Sequence, residues 1–101
     1  MAKGYWIAHV DVSDPEGYKE YQAANAVAFR KYGGRFLVRG GASELPVGKL
    51  RSRHVIIEFK DFATALACYR SPEYEFAAEK RKGKSDMDLV IVEGYDGVQP
   101  E

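Results

Sequence analysis

The sequence predicts an α+β fold, one four-stranded antiparallel sheet with helices on a single face. Three observations lead there: stretches with the period-two alternation of strands, helical segments announced by capping residues, and the order in which these occur. The first strand is Tyr5 to Val12, where aromatic and β-branched residues alternate between two sides. Ser13-Asp14-Pro15-Glu16 starts a helix, because Ser or Asp accepts a bond from an orphan amide, Pro suits the first turn and Glu complements the dipole. That helix runs from about Pro15 to Tyr32 behind a stripe of Tyr18, Tyr21, Asn25, Ala28 and Tyr32, widened by Phe29, and Gly33-Gly34 ends it. A second strand, Arg35 to Arg39, leads into Gly40-Gly41 and a loop with Pro46 and Gly48. The third strand is Arg53 to Phe59. Asp61 caps a short helix over Phe62 to Tyr69, and Ser71-Pro72-Glu73 starts another that reaches about Arg81. Met87 to Gly94 is the last strand. The order is the split β-α-β, ferredoxin-like β-α-β-β-α-β pattern in one domain over residues 1–101, with a core from about 4 to 94 and a loosely ordered tail over 95–101.

Composition narrows the function classes. Fifteen Lys and Arg balance fifteen Asp and Glu, so the chain lacks the basic surplus of a nucleic-acid or membrane-surface binder. Cys68 is the single cysteine, which excludes an internal disulfide and a cysteine-based zinc site within one chain. No apolar run approaches the length needed to span a bilayer, and no secretory signal opens the chain, so the expected location is the cytoplasm. A domain this small has a thin core and gains from covering apolar area with a partner.

Splitting each strand by its period of two assigns the more apolar half to the helices: Trp6, Ala8 and Val10; Phe36 and Val38; Val55, Ile57 and Phe59; Val90 and Val92. The other half holds Tyr5, Ile7, His9 and Asp11; Arg35, Leu37 and Arg39; His54, Ile56 and Glu58; Leu89, Ile91 and Glu93. A solvated sheet face is polar at most positions, and this one mixes aliphatics with opposite charges. The expectation is a homodimer with the two sheets face to face.

Tyr5-Trp6-Ile7, the run Asp14-Pro15-Glu16-Gly17-Tyr18-Lys19-Glu20-Tyr21, Tyr32 through Gly41, and Arg53 through Phe59 followed by Tyr69-Arg70-Ser71-Pro72-Glu73-Tyr74 occur in this order over nearly the whole chain. Together they resemble family 1330 of the domains of unknown function. The resemblance implies a ferredoxin-like fold of the dimeric α/β-barrel superfamily, which includes cofactor-independent monooxygenases, muconolactone isomerases, haem-binding relatives and stress-responsive proteins. It carries over Arg39, Gly40, Gly41, Arg53, Glu58, Tyr69, Ser71 and Tyr74 as motif positions. The chain departs from the pattern at Cys68, where relatives often have a Trp before the Tyr.

Several residues could carry chemistry. If the second and third strands are neighbours, Arg39 and Glu58 fall on the partner-facing side, where a guanidinium beside a carboxylate could hold an anion while the carboxylate acts as base; a structural ion pair is the plainer reading. His9 and His54 fall on the same side and lack the ligand spacing of a metal site, so no metal or cofactor is assigned. Tyr69 and Tyr74, with Arg53, His54 and Ser71, are the expected ligand-binding set, although tyrosines on helices also serve packing. Gly40-Gly41 precedes no helix and reads as a turn or bulge rather than a phosphate cradle. The expected function is binding of a small anionic or aromatic molecule in a cleft between sheet and helices. A catalytic form would be a cofactor-independent isomerase or monooxygenase with Glu58 or His9 as base, Arg39 stabilising negative charge and Tyr69 positioning. The competing form is a non-catalytic dimeric binding or stress-related module.

Overall fold

The computed structural model describes residues 2–100. Its elements are β1 (Gly4–Val12), α1 (Pro15–Tyr32), β2 (Arg35–Arg39), β3 (Arg53–Phe59), α2 (Phe62–Tyr69), α3 (Pro72–Arg81) and β4 (Ser85–Glu93). The strands form one antiparallel sheet in the order β2-β3-β1-β4, the ferredoxin-like arrangement expected. Each helix begins where the local chemistry demands. Asp14 accepts from the Gly17 amide, Asp61 from Thr64 and Ser71 from Tyr74, so each cap satisfies an amide that the first turn leaves open. Gly33 closes α1 in the left-handed conformation, φ 70°.

The core lies between the sheet and the helices and is built on aromatic contacts around Trp6, which is 2% exposed. Its ring meets Phe29 at 5.1 Å and Tyr74 at 4.9 Å between centroids, both edge-on, and its indole N–H donates to the Ala65 carbonyl at 2.8 Å. Strand β1 therefore ties α1, α2 and α3 to one floor.

Two strand faces differ from the expectation. In β4, Met87, Leu89 and Ile91 stand opposite Val10, Ala8 and Trp6 and pack on the core, while Val90 and Val92 lie on the open face, Val90 at 51% exposure. The run Leu89 to Val92 is apolar at every position, so alternation could not tell its sides apart. In β2, Phe36 pairs with Ile57 but Val38 pairs with Ile56, so one extra residue bulges the strand. Beyond that bulge the alternation is inverted. Val38 faces outward with Ile56, and Arg39 lies opposite Val55 on the helix side.

The open face is consequently a set of cross-strand rows. Glu58 and Tyr5 form one, Ile56, Ile7 and Val90 the next, and His54, His9 and Asp88 the third. Among the described residues no helix is long and apolar enough to cross a membrane.

Candidate functional site

A cleft opens between α1 and the sheet. Its floor is Trp6, Ala8, Val55, Ile57, Met87 and Leu89, and aromatic walls come from α1, β2 and α3. The cavity is narrow, about 30 Å³, room for about two waters, and the empty space counted out through the mouth is about 460 Å³. Polar groups reach it from four elements: Tyr18, Tyr21, Gln22 and Asn25 from α1, Arg39 from β2, Arg53 from β3 and Tyr74 from α3. Among the described residues the lining contains no carboxylate and no imidazole.

The two arginines come from adjacent strands. Arg39 reaches the cleft because of the bulge, and its guanidinium lies 4.3 Å from the centre of the Phe36 ring on the same side. Arg53 is partly buried, and its Nε is buried with no hydrogen-bond partner. The backbone of Gly40 makes room for it. A Cβ at that position would collide with the Arg53 guanidinium, and the φ of 68° is one that glycine adopts freely. Gly40 N–H meanwhile donates to the His54 carbonyl at 2.9 Å, which anchors the turn.

Deeper in the cleft the hydroxyls of Tyr21 and Tyr74 share a hydrogen bond of 2.8 Å. Two hydroxyls joined by one bond retain one O–H to give elsewhere. Burial, reinforced by the neighbouring Tyr74, pushes the Tyr21 phenol well above its ordinary range, so it remains a neutral donor. Burial also raises Tyr18, against the opposing pull of the Arg53 charge. Asn25, 6% exposed on the same helix, has an Oδ1 with no partner.

The other expected site residues lie elsewhere. Arg39 and Glu58 are not a pair: the bulge sends Arg39 into the cleft, whereas Glu58 stays on the open face and accepts from the Tyr5 hydroxyl at 3.0 Å. His9 and His54 are directly opposed on that open face, Nδ1 to Nδ1 at 2.8 Å, so one ring donates and the other accepts. Among the described residues no three His, Cys, Asp or Glu gather as a metal-binding group. Ser71 is occupied as a cap, its hydroxyl donating to Cys68 carbonyl at 2.6 Å and accepting from the Tyr74 amide. Tyr69 packs edge-on to Trp6 and beside Tyr74, and opens to the surface outside the cleft. The structure thus brings together Arg39, Arg53 and Tyr74 and separates them from Glu58, His9, His54, Ser71 and Tyr69. Sequence reasoning missed Asn25 and Gln22. A signal existed for Asn25, a polar residue inside an otherwise aromatic and alanine stripe.

A family model described as a domain of unknown function (DUF1330) matches residues 3–95. Among curated proteins none matches the sequence. Several solved structures share the fold. A protein of unknown function from Rhodopseudomonas palustris superposes with a TM-score of 0.74 at 18% identity, covering 98% of this chain and 85% of its own. SnoaB, a cofactor-independent oxygenase from Streptomyces nogalater, gives 0.64 at 13% identity over 100% of both chains. An antibiotic biosynthesis monooxygenase, so described provisionally, from Nitrosomonas europaea gives 0.59 at 20% identity, covering 98% of this chain and 100% of its own.

Proposed function

The chain belongs to the DUF1330 family of domains of unknown function, and on that premise we propose that it is a cytoplasmic homodimer whose helix–sheet cleft binds a small organic molecule. The observation that carries this reading is the cleft itself: six aromatic rings surround a few polar groups drawn from four elements, the usual composition of a ligand pocket. Dimerisation is supported by the open face, where Ile7, Val38, Ile56, Val90 and Val92 form an apolar centre between charged rows.

A catalytic form of the same reading, cofactor-independent isomerase or monooxygenase chemistry, is favoured by the donors. Guanidinium and phenol O–H groups around one cleft would stabilise negative charge growing on a substrate oxygen. Proton abstraction is the weaker part, because neither Glu58 nor His9 lines the cleft. Binding is therefore the primary function supported, and catalysis would draw its base from the substrate or from a second copy.

The test uses Trp6, the single tryptophan, which lines the cleft and reports on its contents by fluorescence. Small aromatic probes titrated into the protein should quench or shift it saturably. Ala8→Leu fills the floor of the cleft and should abolish that response while circular dichroism stays unchanged. An unaltered response in Ala8→Leu would place the ligand elsewhere.

A further inference from the structure

We propose that the occupant of this cleft is a small carboxylate that carries a hydroxyl or N–H at its other end, with the carboxylate held by Arg53 and Arg39 and the donor taken by Asn25. The inference rests on the cleft reading above and names its ligand class.

Charge is the first ground. The chain as a whole is neutral, yet among the described residues the cleft holds two guanidinium groups and no acid. Neither Arg39 nor Arg53 takes part in an ion pair among the described residues, whereas Arg51, two positions from Arg53, is held by both Asp11 and Asp88. The acids near this end of the sheet thus serve Arg51 and leave Arg53 without a counterion. A partly buried cation with no partner is costly unless an anion completes it. A guanidinium suits a carboxylate because its fork of N–H groups matches the two oxygens.

Unmet hydrogen bonding is the second ground. The Nε of Arg53 and the Oδ1 of Asn25 are both buried and both lack a partner, and both residues line the cleft. Most buried polar atoms in folded proteins are satisfied, so each orphan marks a contact still to be made. The Arg53 Nε–H needs an acceptor. The Asn25 oxygen needs a donor, and the one O–H that the neighbouring Tyr21–Tyr74 pair has to spare makes no bond to it. A ligand that is anionic at one end and donates at the other answers both needs at once. The aromatic walls favour a flat body between these ends, and because the enclosed space holds only about two waters, its ring would extend into the mouth of the cleft. Gly40 adds a design feature, since any side chain there would displace the Arg53 guanidinium.

The experiment titrates wild-type protein with 4-hydroxybenzoate, benzoate and 4-hydroxybenzamide, following Trp6 fluorescence and melting temperature. The first should bind about tenfold to a hundredfold more tightly than the amide, the range expected for a charged hydrogen bond, and benzoate should fall between them. Arg53→Gln should erase the preference for the acid over the amide. Arg53→Lys keeps the charge without the fork and should retain part of it. Asn25→Leu should erase the preference for 4-hydroxybenzoate over benzoate. Saturable binding with equal affinity for acid and amide overturns the carboxylate class and leaves the cleft as a binding site. An acid preference that survives in folded Arg53→Gln also overturns the assignment. If none of the three probes moves either signal, the ligand class and the cleft reading fail together.

Discussion

Single residues show how burial alone sets chemistry here. Cys68 sits under the helices with its thiol 3.8 Å from the Ala28 carbonyl, and burial pushes it up to about 12. At pH 8 about one molecule in ten thousand then carries the reactive thiolate. Iodoacetamide should leave the folded protein unmodified at that pH and add one mass increment once urea unfolds it. The same shift sets an alkaline limit. An unfolded thiol ionises near pH 8.5, so the stabilisation is complete below that and is lost as pH rises toward 12. The melting temperature should therefore fall above about pH 8.5, and Cys68→Ala should remove the first part of that decline. Ser71→Ala removes both bonds of a buried cap and should lower stability by about 1–2 kcal/mol, roughly 4–16 °C in melting temperature, with ligand affinity unchanged. Of the residues that line the cleft, Arg39, Arg53 and Tyr74 could be picked from their motif positions. Asn25 stood out only as the polar member of a buried stripe, because such a stripe reveals which side is buried but not whether a polar member finds a partner.

At the level of elements, order and ends were legible because they are local. Asp14-Pro15, Asp61 and Ser71-Pro72 each place a cap within a few residues of the helix they start, and all three helices begin there. Side assignment was legible in β1 and β3, where one face is plainly richer in large apolar groups. It failed in β4, whose central residues are all aliphatic, and in β2, where the bulge depends on a neighbouring strand. A pair of substitutions separates the two faces of β4. Leu89→Asp puts a carboxylate against the core and should destabilise by about 3 kcal/mol in urea unfolding. Val90→Asp, one position on, should change the stability of the isolated chain by only about 0.5 kcal/mol.

The whole molecule is a thin slab, 16 Å across its shortest axis between Cα atoms, and its two broad sides differ in kind. One side holds the cleft. The other holds the apolar rows flanked by Asp11, Asp88, Glu58 and Arg35, charges of both signs that a second copy could match. The long segment between β2 and β3 adds exposed Leu45, Val47 and Leu50, of which Val47 is 83% exposed. Ile56→Lys should turn the proposed dimer into a monomer in sedimentation equilibrium while preserving the Trp6 response to ligand; a native dimer mass in that variant would count against sheet-to-sheet assembly. The bulge in β2 couples these two sides in an unexpected way. Leu37 is the one residue that offsets the strand: were β2 paired regularly along its whole length, Val38 would turn inward and Arg39 would pass through the sheet to the open face. That one-residue offset decides which side of the sheet receives the Arg39 cation, the cleft or the face proposed to meet a second copy.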